Sequence, residues 1–515
     1  MSTIPIIDVF AGPGGLGEGF TGLVDNDGHH PFNILLSAEA DSNAHATLRL
    51  RAYHRKLLRS GGDATELMQY CLGERENPYT QKTKPIWDEA NHEALCIELG
   101  TQDGDSHLYR KLKKQLTGED NWVLIGGPPC QAYSVAGRVR NKGNDKYDPL
   151  NDNRHFLYRE YLRVINEYRP AVFVMENVRG MLSCRIDGKL IAHQIFEDLA
   201  CAGDTDKCSD NLGYKIYSLV EPVYFEQGTD VTSINTGNYV VKTEEHGVPQ
   251  ARHRVILLGV RNDIKSRPSL LPKTQGPNVE DLIMDMPRLR SGFSRGGDSP
   301  ERWHDHVAGE LWDLAKYARE NGQNDLADDM EGHGHLVRNE VLHRHATANT
   351  IATIRDNQAP PELKQWIAGT WPGLYFNHET RGHMASDLRR YAFAATFAKT
   401  YGKCPKGAED FALPGLAPAH VNWNSGAFAD RFRVQQAKRP ATTITSHISK
   451  DGHYYIHPDP TQCRSFTVRE AARIQTFPDD YFFCGPRTSQ YTQVGNAVPP
   501  YLANQIARIV LELLK

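Results

Sequence analysis

No run of apolar residues in this 515-residue chain approaches the roughly 20 needed to cross a bilayer, and the N-terminus has no basic stretch followed by an apolar one. The sequence therefore gives no sign of a membrane partner or a secretory leader, and the expected compartment is the cytoplasm. Cysteine is sparse and lacks framework spacing. Nine cysteines contain no CxxC pair, which argues against a disulfide scaffold and leaves the thiols free. Charge of neither sign dominates: the formal net charge is -4, which taken alone argues mildly against a nucleic-acid partner. Its distribution matters more than the sum. Basic clusters without acids occur at Arg49 to Arg59, Arg110 to Lys114, Arg138-Val-Arg140-Asn-Lys142 and Arg431 to Arg439. Internal repeats and low-complexity tracts are also missing. What remains is 39% hydrophobic content, enough to bury a full core and to form two or three domains.

Four short apolar runs, Ile4 to Phe10, Trp122 to Gly127, Ala171 to Met175 and Val255 to Val260, are bounded by Gly and Pro and separated by longer polar or helix-like stretches. They read as buried parallel strands of a doubly wound sheet, in which ligands bind beyond the carboxyl ends of the strands. From about residue 262 to 440 the alternation stops, and a second domain of less regular architecture is expected. Order returns near the end: Thr467 to Phe477 reads as a short helix. Tyr501 to Leu514 reads as a terminal helix packed on the sheet, with Leu502, Ile506, Ile509, Val510 and Leu513 at helical spacing. The stretch from Leu50 to about Gly100 is long for a link between strands and is expected to hold extra helices.

Two of the loops that follow these runs carry unusual residues. Gly12, Gly14 and Gly17 fit a GxGxxG pattern after the first run, with Glu39 at the end of the next expected strand. Such glycines and such an acid equally suit a nicotinamide or flavin dinucleotide fold, so this motif alone leaves an oxidoreductase open. After the second run comes Pro128-Pro129-Cys130-Gln131. The prolines fix φ and withhold N–H groups, so the strand cannot simply continue and Cys130 is held on a stiff loop. A lone cysteine is more often a buried structural thiol.

The remaining motifs decide between these readings. Gly126-Gly127-Pro128-Pro129-Cys130-Gln131-Ala132-Tyr133-Ser134 resembles the catalytic loop of the DNA cytosine carbon-5 methyltransferases, and Asp8-Val-Phe10-Ala-Gly12-Pro-Gly14-Gly15 resembles their cofactor loop. Met175-Glu176-Asn177-Val178, Gln250-Ala-Arg252-His-Arg254, Thr467-Val-Arg469-Glu470-Ala-Ala-Arg473-Ile-Gln475 and Gln493-Val-Gly495-Asn496-Ala-Val498-Pro499 follow in the family's order. The resemblance covers roughly residues 1 to 260 and 440 to 515. It implies an α/β fold, a doubly wound mixed sheet of the Rossmann-like kind that binds S-adenosyl-L-methionine, with a second, irregular target-recognition domain. The implied division is 1–261 catalytic, 262–440 target recognition, and 441–515 completing the catalytic domain.

The chemistry that the resemblance implies explains these residue types. Cytosine carbon-5 is a poor nucleophile until a group adds at carbon-6, and a thiolate adds readily and leaves again, the role implied for Cys130. Glu176 is expected to relieve the developing charge by proton donation at N3 and the exocyclic amine. Arg254 is expected at the cytosine O2, and Arg252 at a phosphate or holding the acid. Phe10, Gly12, Gly14, Gly15, Glu39, Asp105, Pro129 and Asn496 are the expected cofactor contacts, with Asp103 competing with Asp105 for the adenine amine. The target base must be flipped from the duplex, and Val135 to Asn153 corresponds to the loop that closes over it.

Double-stranded DNA is thus the expected partner, bound by a monomer, with a cognate restriction endonuclease or none. The RNA-methylating branch of the family and a catalytically dead relative are the nearest rivals. His304, His306, His333, His335, His343 and His345 form three His-x-His pairs, but with no cysteine nearby and no step that calls for a metal, no metal site is expected. Arg431, Arg433, Lys438, Arg439, Thr442, Thr443, Thr445 and Ser446 make a reasonable DNA-facing stretch.

Overall fold

The structure, a computed structural model, describes residues 3–129, 157–186, 188–202, 213–345, 358–419, 423 and 430–515. Cys130, the Arg138, Arg140 and Lys142 cluster and the Val135 to Asn153 loop lie outside the described residues. The chain forms two compact units, Met1–Gln275 with Phe483–Gly485 and Ala497–Lys515, and Gly276–Phe482 with Pro486–Asn496. The first unit thus runs beyond the expected boundary at 261. Leu271 N–H donates to the Leu219 carbonyl at 2.8 Å and Thr274 N–H to that of Glu245 at 2.8 Å, which holds this tail on the first unit.

The first unit is built on strands β1 (Ile4–Val9), β2 (Phe32–Glu39), β3 (Ala94–Cys96), β4 (Val123–Gly126), β5 (Val172–Val178), β6 (Tyr214–Tyr217), β7 (Tyr224–Phe225), β8 (Val240–Lys242) and β9 (His253–Arg261). Their order across the sheet is β3-β2-β1-β4-β5-β9-β6-β7, with β8 also paired to β9. Strands β1 to β5 pair in parallel. The fourth apolar run is different: β9 is antiparallel to both β5 and β6, so the sheet is mixed. A strand buried on both faces is apolar throughout whichever way it runs, so its composition carries no direction.

Both faces are indeed covered. Ile7, Leu124 and Phe173 point to one side, where they meet Leu108 and Leu112 of α3 (Gln102–Gln115), Tyr161 and Ile165 of α4 (Leu157–Tyr168) and Phe196 of α5 (Ile191–Ala200). Ile6, Ile125 and Val174 point to the other, against Leu16 and Phe20 of α1 (Gly15–Thr21) and against Leu502, Ile506, Ile509 and Val510 of the terminal helix (Pro500–Leu514). The alternation is the period-2 geometry of a strand. Glycine brings α1 unusually close to the C-terminal segment. A Cβ on Gly15 would lie 2.2 Å from the Val498 carbonyl oxygen, and one on Gly19 would lie 2.3 Å from the Ala503 Cβ.

The Leu50 to Gly100 stretch holds the rest of α2 (Ser42–Arg59) and two further helices, Thr65–Cys71 and Lys84–Glu93. The first basic cluster is spent inside the unit. Arg51 pairs with Glu18 at 2.6 Å, Arg55 and Lys56 pair with Glu93, and Arg59 donates to the Thr21 carbonyl at 2.9 Å.

The second unit has a helical core where irregular architecture was expected. Helices α6 (Pro300–Glu320), α7 (Asn324–Asn339) and α8 (Ala385–Tyr401) bury Trp303, Val307, Leu311 and Leu314, Leu326 and Met330, and Leu388 and Tyr391 together. The signal was present in the sequence: Ser299 caps α6, Pro300 opens it, and its apolar residues recur every three or four positions. Near its C-terminal end, α9 (Val468–Ile474) carries a capping box between Thr467 and Glu470, as the expected short helix would. Its charges are buried and internally matched. Glu470 accepts both Arg464 nitrogens at 2.6 and 2.7 Å, Arg473 reaches Asp285 and Asp479, and Arg469 donates to the carbonyls of Phe376, Pro478 and Tyr481.

Candidate active site

Strands β1, β4 and β5 end at one edge of the sheet, and because β9 runs the opposite way it begins there. That reversal brings Arg254 to Glu176. In the ladder Glu176 stands opposite Ile256 and Val178 opposite Arg254, so the two charged residues share a face as diagonal neighbours. Arg254 Nε lies 2.9 Å from Glu176 Oε1, with both side chains largely buried. Burial lowers the pKa of Arg254, while Glu176 acts in the opposite direction. Arg254 also donates from Nη1 to the His253 carbonyl at 3.0 Å, which fixes the guanidinium plane.

The residues that lead to Cys130 lie against this pair. A Cβ on Gly127 would lie 3.1 Å from Glu176 Oε2, tighter than an ordinary contact, so the carboxylate occupies the space a side chain would need. Asn177 Nδ2 donates to the Pro128 carbonyl at 3.4 Å, and Asn177 Oδ1 accepts from Val178 N–H at 2.7 Å. Gly127 and Asn177 were not singled out from the sequence as site residues. Their signal was there in the second glycine before Pro128-Pro129 and in the amide after Glu176. Arg252 is placed differently from Arg254: it is 1% exposed at the turn before β9. Arg254, expected at the cytosine O2, makes an ion pair with the acid from its place in the strand ladder.

At the end of β1 the backbone curls sharply. Phe10, Gly12 and Gly14 have φ of 56°, 58° and 95°, three left-handed positions in five residues. A non-glycine residue in that region costs about 1–2 kcal/mol, so Phe10 is held there by its surroundings. Among the described residues nothing lies within 4 Å of the position a Cβ on Gly12 would take, and the Gly12 N–H donates to Glu39 Oε2 at 2.8 Å. Glu39 Oε1 accepts from Asp41 N–H at 2.8 Å. Burial raises the Glu39 pKa, against the pull of those two N–H groups. Each carboxylate oxygen keeps a further lone pair. A strand-end carboxylate beside a glycine loop with an open face is a donor set that fits the ribose hydroxyls of an adenosyl group.

The other expected cofactor residues are spread more widely. Gly15 is accounted for by its approach to Val498. Asp105 accepts Gly100 N–H at 2.9 Å and lies 3.7 Å from Arg163, so it shapes the loop before α3, while Asp103 is exposed. Pro129 is half-buried, and Asn496 is exposed at the end of helix α10 (Arg487–Asn496) in the second unit.

In the second unit the histidines have separate occupations. His333 meets Thr396 Oγ1 at 3.3 Å and Lys399 Nζ at 3.1 Å, and burial lowers its pKa to about 4. His304 is buried against Trp303, with ring centroids 5.2 Å apart. Among the described residues, the cluster with three close ligand atoms is Asp25, Asp27 and His29, which includes none of the six. In the stretch expected to face DNA, Arg433 lies over the Tyr454 ring and near Asp430, and Arg431 lies near Asp451. Gln435 brackets Thr442, and Thr445 meets the Tyr455 hydroxyl at 3.0 Å. Lys438 and Arg439 are exposed.

Residues 89–512 match the family model for C-5 cytosine-specific DNA methylases. A type II methyltransferase of Bacillus paralicheniformis is 31% identical over 99% of each chain. One from Thalassovita gelatinovora is 26% identical over 98% of each, and a DNA (cytosine-5-)-methyltransferase of Aeropyrum pernix is 25% identical over 78% of this chain and 83% of its own. Among solved structures, a prophage-encoded chain of E. coli described as a candidate DNA modification methyltransferase superposes with a TM-score of 0.52 over 99% of both chains at 18% identity, a likeness of fold. No helix among the described residues is long and apolar enough to cross a membrane.

Proposed function

Since the chain belongs to the C-5 cytosine-specific DNA methylase family, we propose that it methylates carbon-5 of a cytosine flipped from a specific duplex sequence, through a covalent adduct on Cys130 and with S-adenosyl-L-methionine as methyl donor. The observation that carries this reading is the buried Glu176–Arg254 pair, set against Gly127 and Pro128 at the start of the Cys130 loop.

Cys130 Sγ adds to carbon-6 of the cytosine while Glu176 supplies a proton at N3, so the ring becomes a neutral enamine with electron density at carbon-5. Arg254, held beside Glu176, stays charged and donates to the O2 edge. The cofactor, when bound, supplies an electrophilic methyl group. Phe10 and Gly12 would border its adenosyl moiety, and Glu39 would hold its ribose. Loss of the carbon-5 proton to solvent re-forms the ring double bond and breaks the bond to Cys130, and the N3 proton returns to Glu176. The reaction needs no metal. The second unit carries target recognition. By analogy with the type II relatives, the chain modifies sites for a restriction system or acts as an orphan methylase, in the cytoplasm, as a monomer on DNA.

Sequencing of methylated cytosines in DNA from cells that express the chain tests the activity and gives the target site. Cys130→Ala abolishes methylation while S-adenosyl-L-methionine still binds by calorimetry, and a 5-fluorocytosine duplex traps the wild-type protein as a denaturant-stable adduct. Turnover by the alanine variant would contradict the covalent route.

A further inference from the structure

The second unit contains a polar cavity of about 380 Å³ that the chemistry above does not use. Three chain segments are tied together around it. Arg290 N–H donates to the His343 carbonyl at 2.9 Å, Thr380 N–H to that of Arg344 at 2.9 Å, and Thr380 Oγ1 to that of Arg290 at 2.8 Å. Three guanidinium groups line the cavity, those of Arg290, Arg344 and Arg487, against the two carboxylates of Asp298 and Glu379. Asp298 serves two of them: Arg290 binds it through both terminal nitrogens at 3.0 and 3.1 Å, and Arg344 lies 3.5 Å away. Arg487 places Nε and Nη2 on a single oxygen of Glu379, whose side chain is 51% exposed and able to turn aside.

Among the described residues, this lining leaves one positive charge uncompensated when the histidines are neutral. It also leaves donors unused. Among the described residues, Nε of Arg290, a residue only 4% exposed, and Nε of Arg344 are buried without a hydrogen-bond partner. Such N–H groups are costly unless something occupies them. Arg344 is held in place from below: a Cβ on Gly292 would lie 2.6 Å from its Nε and Cζ, so the guanidinium rests flat on the glycine.

We infer that this cavity takes one phosphodiester group of the DNA backbone, bound by Arg290, Arg344 and Arg487. A diester carries a single negative charge and so matches the surplus of one, whereas a terminal phosphate or inorganic phosphate brings nearly two. Planar guanidinium groups suit its paired oxygens. The contact positions the unit on the duplex and reads no sequence. The inference rests on the reading of DNA as the substrate.

The test is equilibrium binding of the full chain to short duplexes over a range of salt. Wild-type binding is measured first, and its absence would count against the DNA reading itself. Given wild-type binding, Arg344→Gln weakens affinity about tenfold for target and unrelated duplexes alike. It also flattens the slope of log K against log salt by about 0.9, the value of one phosphate contact. Arg344→Lys keeps the slope. Arg487→Gln gives the same result as Arg344→Gln and decides alone if the latter does not fold, since its exposed acid partner needs no rescue. S-adenosyl-L-methionine binding and thermal unfolding stay at wild-type values in the folded variants. Folded variants with wild-type slopes overturn the inference. So does protection of the wild type from heat by inorganic phosphate that depends on Arg344 while the DNA slopes stay unchanged, since that marks a free-anion site.

Discussion

Gly127 leaves room for the Glu176 carboxylate. With a Cβ at 3.1 Å from Oε2, Gly127→Ala would push the acid off its line with Arg254 while touching nothing in the cofactor loop. The expected outcome is a fall in kcat of about tenfold, as for a barrier raised by about 1.4 kcal/mol, with S-adenosyl-L-methionine affinity unchanged. Steady-state kinetics and calorimetry on the purified variant check this, and wild-type turnover would refute it. Asp8 poses a different problem at the same scale. It is fully buried in β1, neither carboxylate oxygen has a hydrogen-bond partner among the described residues, and burial raises its pKa well above the ordinary value of 3.8, with Glu39 and Glu93 adding to the rise. The folded chain therefore keeps a proton that the unfolded chain has lost. Stability falls as pH rises above about 3.8, by about 1.4 kcal/mol per pH unit, until the folded group also ionises. Asp8→Asn removes that slope. Denaturant melts should converge near pH 4 and separate in favour of the variant towards pH 7. Parallel curves would show that the carboxyl has a partner in solution.

Between elements, α1 approaches the terminal helix and the residues before it closely. Glycine at 15 and 19 allows it, and the apolar stripe of Leu502, Ile506, Ile509 and Val510 completes one face of the sheet. A methyl group at Gly19 would meet Ala503 Cβ at 2.3 Å and the Pro500 carbonyl oxygen at 2.5 Å, and backbone cannot yield as a side-chain tip can. Gly19→Ala is expected to destabilise the protein by about 1–3 kcal/mol, the usual cost of overpacking, with a lower midpoint in urea. Gly12→Ala is the contrast. It meets no atom of the described residues within 4 Å but has φ of 58°, so it costs about 1–2 kcal/mol in backbone strain and places a methyl on the open face of the cofactor loop. Cofactor affinity should fall in Gly12→Ala far more than in Gly19→Ala.

On the scale of the whole molecule, the unit boundaries decide which segment can be exchanged with a relative. A cut at 440 separates Arg433 and Gln435 from Ile456, which they bracket with backbone hydrogen bonds of 2.9 and 3.0 Å. It also separates Asp285 from Arg473, 2.7 Å away and buried. Breaking a buried pair by removing one partner costs about 3–5 kcal/mol. Exchange of residues 276–482 together with 486–496 is therefore expected to give a soluble, folded protein that methylates the relative's sites. Exchange of 262–440 is expected to give one that aggregates or melts at lower temperature. Methylation of the original site by a folded chimera of 276–482 with 486–496 would move recognition to the first unit.

The sequence by itself determined the family. Gly12, Glu39, Cys130, Glu176 and Arg254 sit in the short motifs on which the proposed chemistry rests, and motif order needs no coordinates to be read. It also determined the sheet strands as apolar runs and the terminal helix as an apolar stripe, because burial on one or two faces writes a local period into the chain. The helices α6 and α7 were equally local, through the Ser299 cap of α6 and the apolar periodicity of both. Only the tertiary structure decided that β9 runs antiparallel, and with it that Arg254 meets Glu176. Strand direction leaves composition unchanged, and a diagonal pair exists only once a register is set. The tertiary structure also decided that Arg473 answers Asp285 and that Asp298 is shared by Arg290 and Arg344. Those partners lie in separate chain segments, and no local pattern records which distant segment will fold against which.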